Sequence, residues 1–329
     1  MKNDFIIYLT ASDLKKLLPM SEAVRIMHTA FSALSAGKVT SPVRLNIPTA
    51  NDGQALFMPV YSPEIHAISI KTVTVSPENS QKNLPLIHAM VSLFESETGR
   101  QIALIDGEYL TALRTGAASG LATDLLARND AKSAFIFGAG AQAKTQIAAL
   151  CAVRDLQHIS IFDQTFAKAE TLVDQIRKDF PVHYDAVKDS ANLANADIVC
   201  TATTAKSPVF SADQIRPGTH INGIGSYTPE MCEIPPEILA KARVFVDQRN
   251  ACMAEAGEII SAVNAGLLKD ANAMHEIGEL AGGKTTGREN EQQITVFKSV
   301  GNAVQDLYCA QVLYEKALQH NLGMRLPVN

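Results

Sequence analysis

Tryptophan is absent from this 329-residue chain, aromatic residues make up only 6% of it, and cysteines number five. The missing indole leaves little intrinsic fluorescence. Lysines and arginines form no cluster and the formal net charge is −5, which argues against a nucleic-acid partner, since such binding depends on neutralising phosphates. No apolar run reaches the roughly 20 residues that span a bilayer, so no membrane partner is expected. Met1–Thr10 lacks a basic start, a long apolar core and a small-residue cleavage site, and a cytoplasmic location is the expectation. Cys151, Cys200, Cys232, Cys252 and Cys309 are odd in number and have no C-x-x-C spacing, which fits reduced thiols used as small core residues. No disulfide framework and no metal site is expected. What the chain does have is bulk: 47% hydrophobic residues over this length suffice for two domains with cores of their own.

The most informative stretch is Ser133–Ala143, an apolar run that empties into Gly138, Gly140 and Ala143. Ala134–Phe137 reads as a buried parallel strand and Ala141–Ala152 as a helix. Gly138 permits a tight turn, Gly140 lets backbone approach a pyrophosphate, and Ala143 allows helix and strand to pack closely. The helix start offers free N–H groups and a positive dipole end to a diphosphate. Bare G-x-G-x-x-A turns occur by chance in many folds. Here a second apolar run ends in Asp163, near the offset of about 20 residues expected for a carboxylate that holds an adenosine ribose.

The nucleotide turn arrives late, so a separate domain is expected before it. A helix starting near Ser21 places Val24, Met27, Phe31 and Leu34 on one face, with Gly37 at its C-terminal cap. Extended segments follow at Gln54–Val60 and Ala67–Ser76, then a hairpin of Ala89–Glu95 with Gln101–Asp106. Gly107–Ala127 turns helical and leads onward. After Ala143 the expectation is alternating strand and helix, with strands at Ile159–Asp163, Val182–Tyr184, Asp197–Thr201, His220–Ile224 and Val244–Asp247, and Phe166–Phe180 the clearest helix. Glu291–His320 reads as one or two long helices with Val296, Val300, Val304, Leu307 and Val312 inward. The fold class is therefore α/β: a Rossmann-type doubly wound parallel sheet (119–305) with a second, discontinuous α+β domain (1–118 and 306–329).

Three cations sit among small and apolar residues. Alternation along Ala67–Val75 puts Ser69, Lys71, Val73 and Val75 on one face. A lysine there either meets an anion or has a lowered pKa suited to proton transfer; equally, it is an edge-strand lysine reaching for water. Arg44 and Arg114 interrupt apolar stretches, and guanidinium forks suit a bidentate grip on carboxylate or phosphate. Either alone is more often a surface or ion-pair arginine. Together, beside a nucleotide fold, the three suggest a pocket for an acidic small molecule.

Arg44, Ser69-Ile70-Lys71, Leu84-Pro85, Asp106-Gly107, Leu113–Ala118, the glycine turn, Ile221–Gly225, and Val296–Gly301 with Asp306 together resemble the ornithine cyclodeaminase and mu-crystallin family, in order over nearly the whole chain. The resemblance implies a homodimer built on the first domain, with NAD(H) or NADP(H) in the second. It implies that Arg44, Lys71 and Arg114 hold a substrate carboxylate or move protons, with Arg114 and Thr115 also toward the cofactor. It gives Gly138, Ala139, Gly140, Ala141 and Gln142 to the diphosphate and Asp163 to the ribose. Thr201, Ala202 and Thr203 would line the cofactor, Ile224 and Ser299 would approach the nicotinamide, and Glu255 would lie toward the substrate. Asp163 favours NAD(H), because a carboxylate repels a 2′-phosphate, while Lys168 nearby leaves NADP(H) open.

One departure shapes the functional expectation. Ornithine-deaminating members carry an aspartate shortly after the Ile-Gly strand end, where it serves the second amine; here Tyr227 stands at that place, shaping the substrate pocket or simply packing. A reductase of a preformed cyclic imine needs only a carboxylate anchor, a proton for nitrogen and a hydride, with the imine carbon roughly 3–3.5 Å from the hydride carbon. The expectation is thus NAD(P)H-dependent reduction of a cyclic ketimine carboxylate, first Δ1-pyrroline-2-carboxylate to L-proline. The alternatives are ornithine cyclodeamination, an alanine dehydrogenase-like oxidation, or binding of a nucleotide or small ligand without turnover.

Overall fold

The computed structural model describes residues 4–82 and 84–328; Met1–Asn3, Asn83 and Asn329, which the expected first domain includes, lie outside them. The chain opens with β1 (Phe5–Leu9), α1 (Ala11–Leu17), α2 (Met20–Ser35), β2 (Leu45–Pro48), β3 (Gln54–Ser62), β4 (Ala67–Val75), β5 (Ile87–Glu95), β6 (Gln101–Asp106) and α3 (Gly107–Leu126). It continues through β7 (Ser133–Phe137), α4 (Ala143–Val153), β8 (His158–Phe162), α5 (Phe166–Ile176), β9 (His183–Val187), β10 (Ile198–Thr201) and β11 (His220–Gly223). Then come α6 (Pro236–Lys241), β12 (Arg243–Val246), α7 (Arg249–Glu255), α8 (Gly257–Asn264), β13 (His275–Glu276), α9 (Ile277–Ala281), β14 (Thr295–Lys298), α10 (Ala303–His320) and β15 (Met324–Pro327). Contacts group Met1–Arg114 with Asn302–Asn329 as one compact unit and Thr115–Gly301 as another, the division falling within α3.

The first unit is a seven-stranded sheet in the order β15-β1-β6-β5-β4-β3-β2. The expected hairpin is there as β5 paired antiparallel with β6. Helix α2 buries Val24, Met27, Phe31 and Leu34, and Gly37 follows it at φ 71°, a left-handed position that favours glycine. Helix α10 packs on α2 and on β3, β4 and β5. β4 lies between β3 and β5, so Lys71 is not on an edge strand. Alternation holds along β4: Ala67, Ser69, Lys71 and Val73 are buried.

The second unit carries an eight-stranded sheet in the order β13-β12-β14-β11-β10-β7-β8-β9, parallel throughout. This is the doubly wound α/β arrangement. Strands β7, β10, β11 and β14 are buried almost end to end, as central parallel strands must be when both faces are covered.

Four expectations need correction. Glu291–His320 is not all helix: Thr295–Lys298 is β14, in the sheet between β11 and β12. Val296 and Val300 share a helical spacing by coincidence, and a short apolar run cannot be assigned from periodicity alone. Within α10, Val304 and Leu307 are buried as expected, but Leu313 is buried in place of Val312, which is half-buried. The regular alternation of strand and helix also lapses, because single 3-10 turns at Leu193–Asn195 and Ala212–Gln214 replace the helices flanking β10. Pro208, Pro217 and Gly218 interrupt the second of those connections and break helices. The strand expected at Val182–Tyr184 begins at His183 and runs on to Val187.

Candidate functional site

In the first unit, burial converges on Lys71. Its side chain is 1% exposed and its Nζ lies 2.8 Å from Oδ2 of Asp306. The other oxygen of Asp306 lies 3.4 Å from Nε of Arg114, and Arg114 Nη1 donates to Oε1 of Gln305 at 2.9 Å. Asp306 sits in the first turn of α10, where the helix dipole favours negative charge. That turn is fixed by Asn302, whose Oδ1 accepts from Val304 N at 2.9 Å and from Ser41 Oγ at 2.8 Å. Two cations thus share one buried carboxylate. Neither oxygen of Asp306 accepts a well-aligned hydrogen bond, so these are charge contacts rather than saturated bonds. Burial pushes the Lys71 ammonium from 10.5 down to about 7, Arg114 adds to the fall, Asp306 opposes it, and Arg44 lowers it further. Arg44, half-buried, is therefore within electrostatic reach of the pair.

In the second unit the glycine turn joins β7 to α4. Gly138 has φ +98°, and a Cβ on it would lie 2.6 Å from the Ala202 carbonyl oxygen. A Cβ on Gly140 would meet nothing within 4 Å, which leaves that backbone open to a ligand. Helix α4 has no side-chain cap from Gln142 and no acidic residue in its first turn, and Gln142 Oε1 is buried without a partner. Asp163, half-buried after β8, accepts from Ala139 N at 2.9 Å through Oδ2 and from Thr165 N at 2.8 Å through Oδ1. This places its carboxylate against the turn. Ala141 is exposed at the turn's open side. An open glycine, an uncapped helix start and a strand-end carboxylate fit the diphosphate and ribose of a dinucleotide.

Thr201 ends β10 with a buried Oγ1 that has no partner, as does Thr115 in α3. Ala202 N donates to Phe137 O at 2.9 Å, and Ile224 N to Thr201 O at 2.9 Å. Thr203 N and Oγ1 donate to Oε1 of Glu233 at 2.6 and 2.8 Å. Ser299 Oγ is committed to Oδ2 of Asp247 at 2.7 Å. Tyr227 packs half-buried against the hydrophobic core of this unit, and Glu255 closes α7 half-buried.

Sequence reasoning missed the carboxylates that hold these pieces. Glu233 Oε2 accepts from Gly225 N at 2.6 Å and Ser226 N at 3.1 Å, so one side chain ties the ends of β10 and β11 together. Asp247 accepts from Ser299 Oγ, Val300 N (3.0 Å) and Gly301 N (2.7 Å) through one oxygen, and from Gln248 N (2.8 Å) and Cys252 Sγ (3.2 Å) through the other. Lys298 Nζ donates to Ser226 O and Oγ at 2.7 Å and faces Glu258 at 3.3 Å, lysine and carboxylate both fully buried. Asp247 was legible only as a polar residue closing an apolar run, and Glu233 and Asp306 gave no local signal of their partners.

A model of the ornithine cyclodeaminase/mu-crystallin family matches residues 6–321. A Delta(1)-pyrroline-2-carboxylate reductase of Bacillus cereus is 38% identical over 325 residues, which covers 98% of this chain and 99% of that one. Among solved structures, Thermococcus litoralis Delta(1)-pyrroline-2-carboxylate reductase in complex with NADH and L-proline matches with a TM-score of 0.93 at 38% identity, over 97% of this chain and 99% of that one. An archaeal alanine dehydrogenase dimer with bound NAD matches with a TM-score of 0.90 at 32% identity, over 98% and 99%.

Proposed function

The chain belongs to the ornithine cyclodeaminase/mu-crystallin family, and we propose that it reduces the C=N bond of a cyclic ketimine carboxylate, Δ1-pyrroline-2-carboxylate, to L-proline. It is an NAD(P)-dependent oxidoreductase. The observation that carries the reading is Lys71: a buried ammonium held at about 7 between Asp306 and Arg114 is poised to give a proton near neutral pH. Arg44 and Arg114 bind the substrate carboxylate, and Lys71 orients it and protonates the ring nitrogen. Asp306 keeps Lys71 and Arg114 apart and in place. Reduced nicotinamide, when bound, supplies the hydride. Gly138, Ala139, Gly140, Ala141 and Gln142 hold the diphosphate, Asp163 the ribose, and Thr115, Thr201, Ala202, Thr203, Ile224 and Ser299 shape the rest of the dinucleotide site. Tyr227, packed where a deaminase has its aspartate, disfavours ornithine cyclodeamination, and Glu255 lies toward the substrate.

NADH is preferred over NADPH, on the strength of the Asp163 carboxylate. The protein works as a homodimer through the first unit, where Val43, Leu45, Ile47, Leu84, Leu86 and Ile87 are exposed; the alanine dehydrogenase neighbour is itself a dimer. Among the described residues no helix is long and apolar enough to cross a membrane; the location is cytoplasmic.

The test is direct. Purified protein with NADH and Δ1-pyrroline-2-carboxylate loses the reduced-nicotinamide absorbance and yields proline; no loss with NADH or NADPH removes the reading, and ammonia released from ornithine restores the deaminase. With no tryptophan in the chain, bound NADH emission is followed against little background.

A further inference from the structure

The edge of the second unit's sheet gathers three metal-ligating groups that the proposed reduction does not use. His158 opens β8 and His183 opens β9, and the two are register partners in the parallel ladder, so their side chains leave the same face. Asp185, two residues after His183, returns to that face. Nε2 of His158 lies 2.8 Å from Oδ2 of Asp185, and Nε2 of His183 lies 3.3 Å from Oδ1. The imidazole planes stack at 22° with centroids 5.4 Å apart. Both rings therefore turn the same nitrogen toward one carboxylate, and the three ligand atoms lie within 4.8 Å of one another.

We propose that His158, His183 and Asp185 form a binding site for a divalent transition-metal ion of the zinc class, with water completing its shell. Ligand bonds of about 2.0–2.2 Å in a tetrahedral shell put donors about 3.4 Å apart, and rotation about the side-chain bonds of these three residues, whose ligand atoms already lie within 4.8 Å of one another, is what would close them on an ion. Two imidazoles and one carboxylate suit Zn²⁺, Co²⁺, Ni²⁺ or Cu²⁺, whereas Ca²⁺ and Mg²⁺ require oxygen donors. The ion clamps β9, the last strand of the sheet, to its neighbour. His158 starts β8 while Asp163 follows the strand's other end, so the site serves the sheet edge rather than the dinucleotide. The sequence hides it because only the His-x-Asp pair is local.

Chelator-treated protein titrated with ZnCl₂ by calorimetry should take up one equivalent per chain. CoCl₂ should give the visible absorption of a four-coordinate ion. At a hundredfold excess over the dissociation constant the melting temperature should rise by about 5 °C. His183→Ala and Asp185→Asn should each lose the equivalent and the melting shift while keeping NADH-dependent reduction; His183 is 71% exposed, so its replacement leaves the fold intact. His66→Ala, beside Glu97 in the first unit, should bind as the parent does. Failure of the parent chain to bind an equivalent overturns the proposal, and so does unchanged binding by His183→Ala and Asp185→Asn.

Discussion

At the scale of single residues, the proposed chemistry turns on which form of Lys71 is present. Imine reduction consumes a proton, so it needs the ammonium; the protonated fraction falls as pH rises through about 7. The pH profile of kcat/KM for Δ1-pyrroline-2-carboxylate should therefore decline above neutrality, while proline oxidation, which needs the neutral amine, should climb over the same interval. Parallel profiles in the two directions would remove Lys71 from the proton step. Lys71→Met should abolish both directions and leave the NADH dissociation constant unchanged by fluorescence titration. Asp306 opposes the lowering, so Asp306→Asn should move the reduction limb to lower pH. Because it strips the counter-charge from a buried pair, it should also cost about 3–5 kcal/mol in urea unfolding. How much of this was legible follows from distance along the chain. Alternation put Lys71 on an apolar face, but the choice between edge lysine and buried acid rested on β3 and β5 pairing on either side of β4 and on α10 packing over it. Arg114 and Gln305 meet across 191 positions, which no local pattern encodes.

At the scale of elements, the glycine turn separates two roles that the motif fuses. Gly138 is required by the protein itself: its left-handed backbone, and the Ala202 carbonyl oxygen 2.6 Å from where a Cβ would sit, leave no room for a side chain. Gly138→Ala should cost about 1–3 kcal/mol and weaken NADH together. Gly140 has open space, so Gly140→Ala should keep urea stability within about 0.5 kcal/mol. Its methyl would occupy the space through which a diphosphate approaches, and the NADH dissociation constant should rise about tenfold, or about 1.4 kcal/mol. Equal NADH affinity in Gly140→Ala and the parent would put the diphosphate elsewhere. The turn, its strand and Asp163 were readable because they are contiguous and chemically constrained. β14 was not, since Ile294-Thr295-Val296-Phe297 is a mostly apolar stretch short enough to suit strand or helix, and its place between β11 and β12 comes from pairing partners tens of residues away.

At the scale of the whole molecule, the first unit leaves large apolar side chains uncovered. β2 is the edge of its sheet, and Leu45 and Ile47 on it are 59% and 45% exposed. An exposed edge with apolar side chains invites pairing unless another surface covers it. A second copy of the chain is the economical cover, because a two-fold axis buries the same patch on both copies. Leu45→Glu with Ile47→Glu places like charges on both copies' edges, and sedimentation should shift from dimer to monomer. NADH binding should persist in that monomer, because the residues proposed for the dinucleotide all belong to the second unit apart from Arg114. A double variant that sediments as the parent does would place the proposed interface on another face, and a parent that sediments as a monomer would remove the proposed dimer.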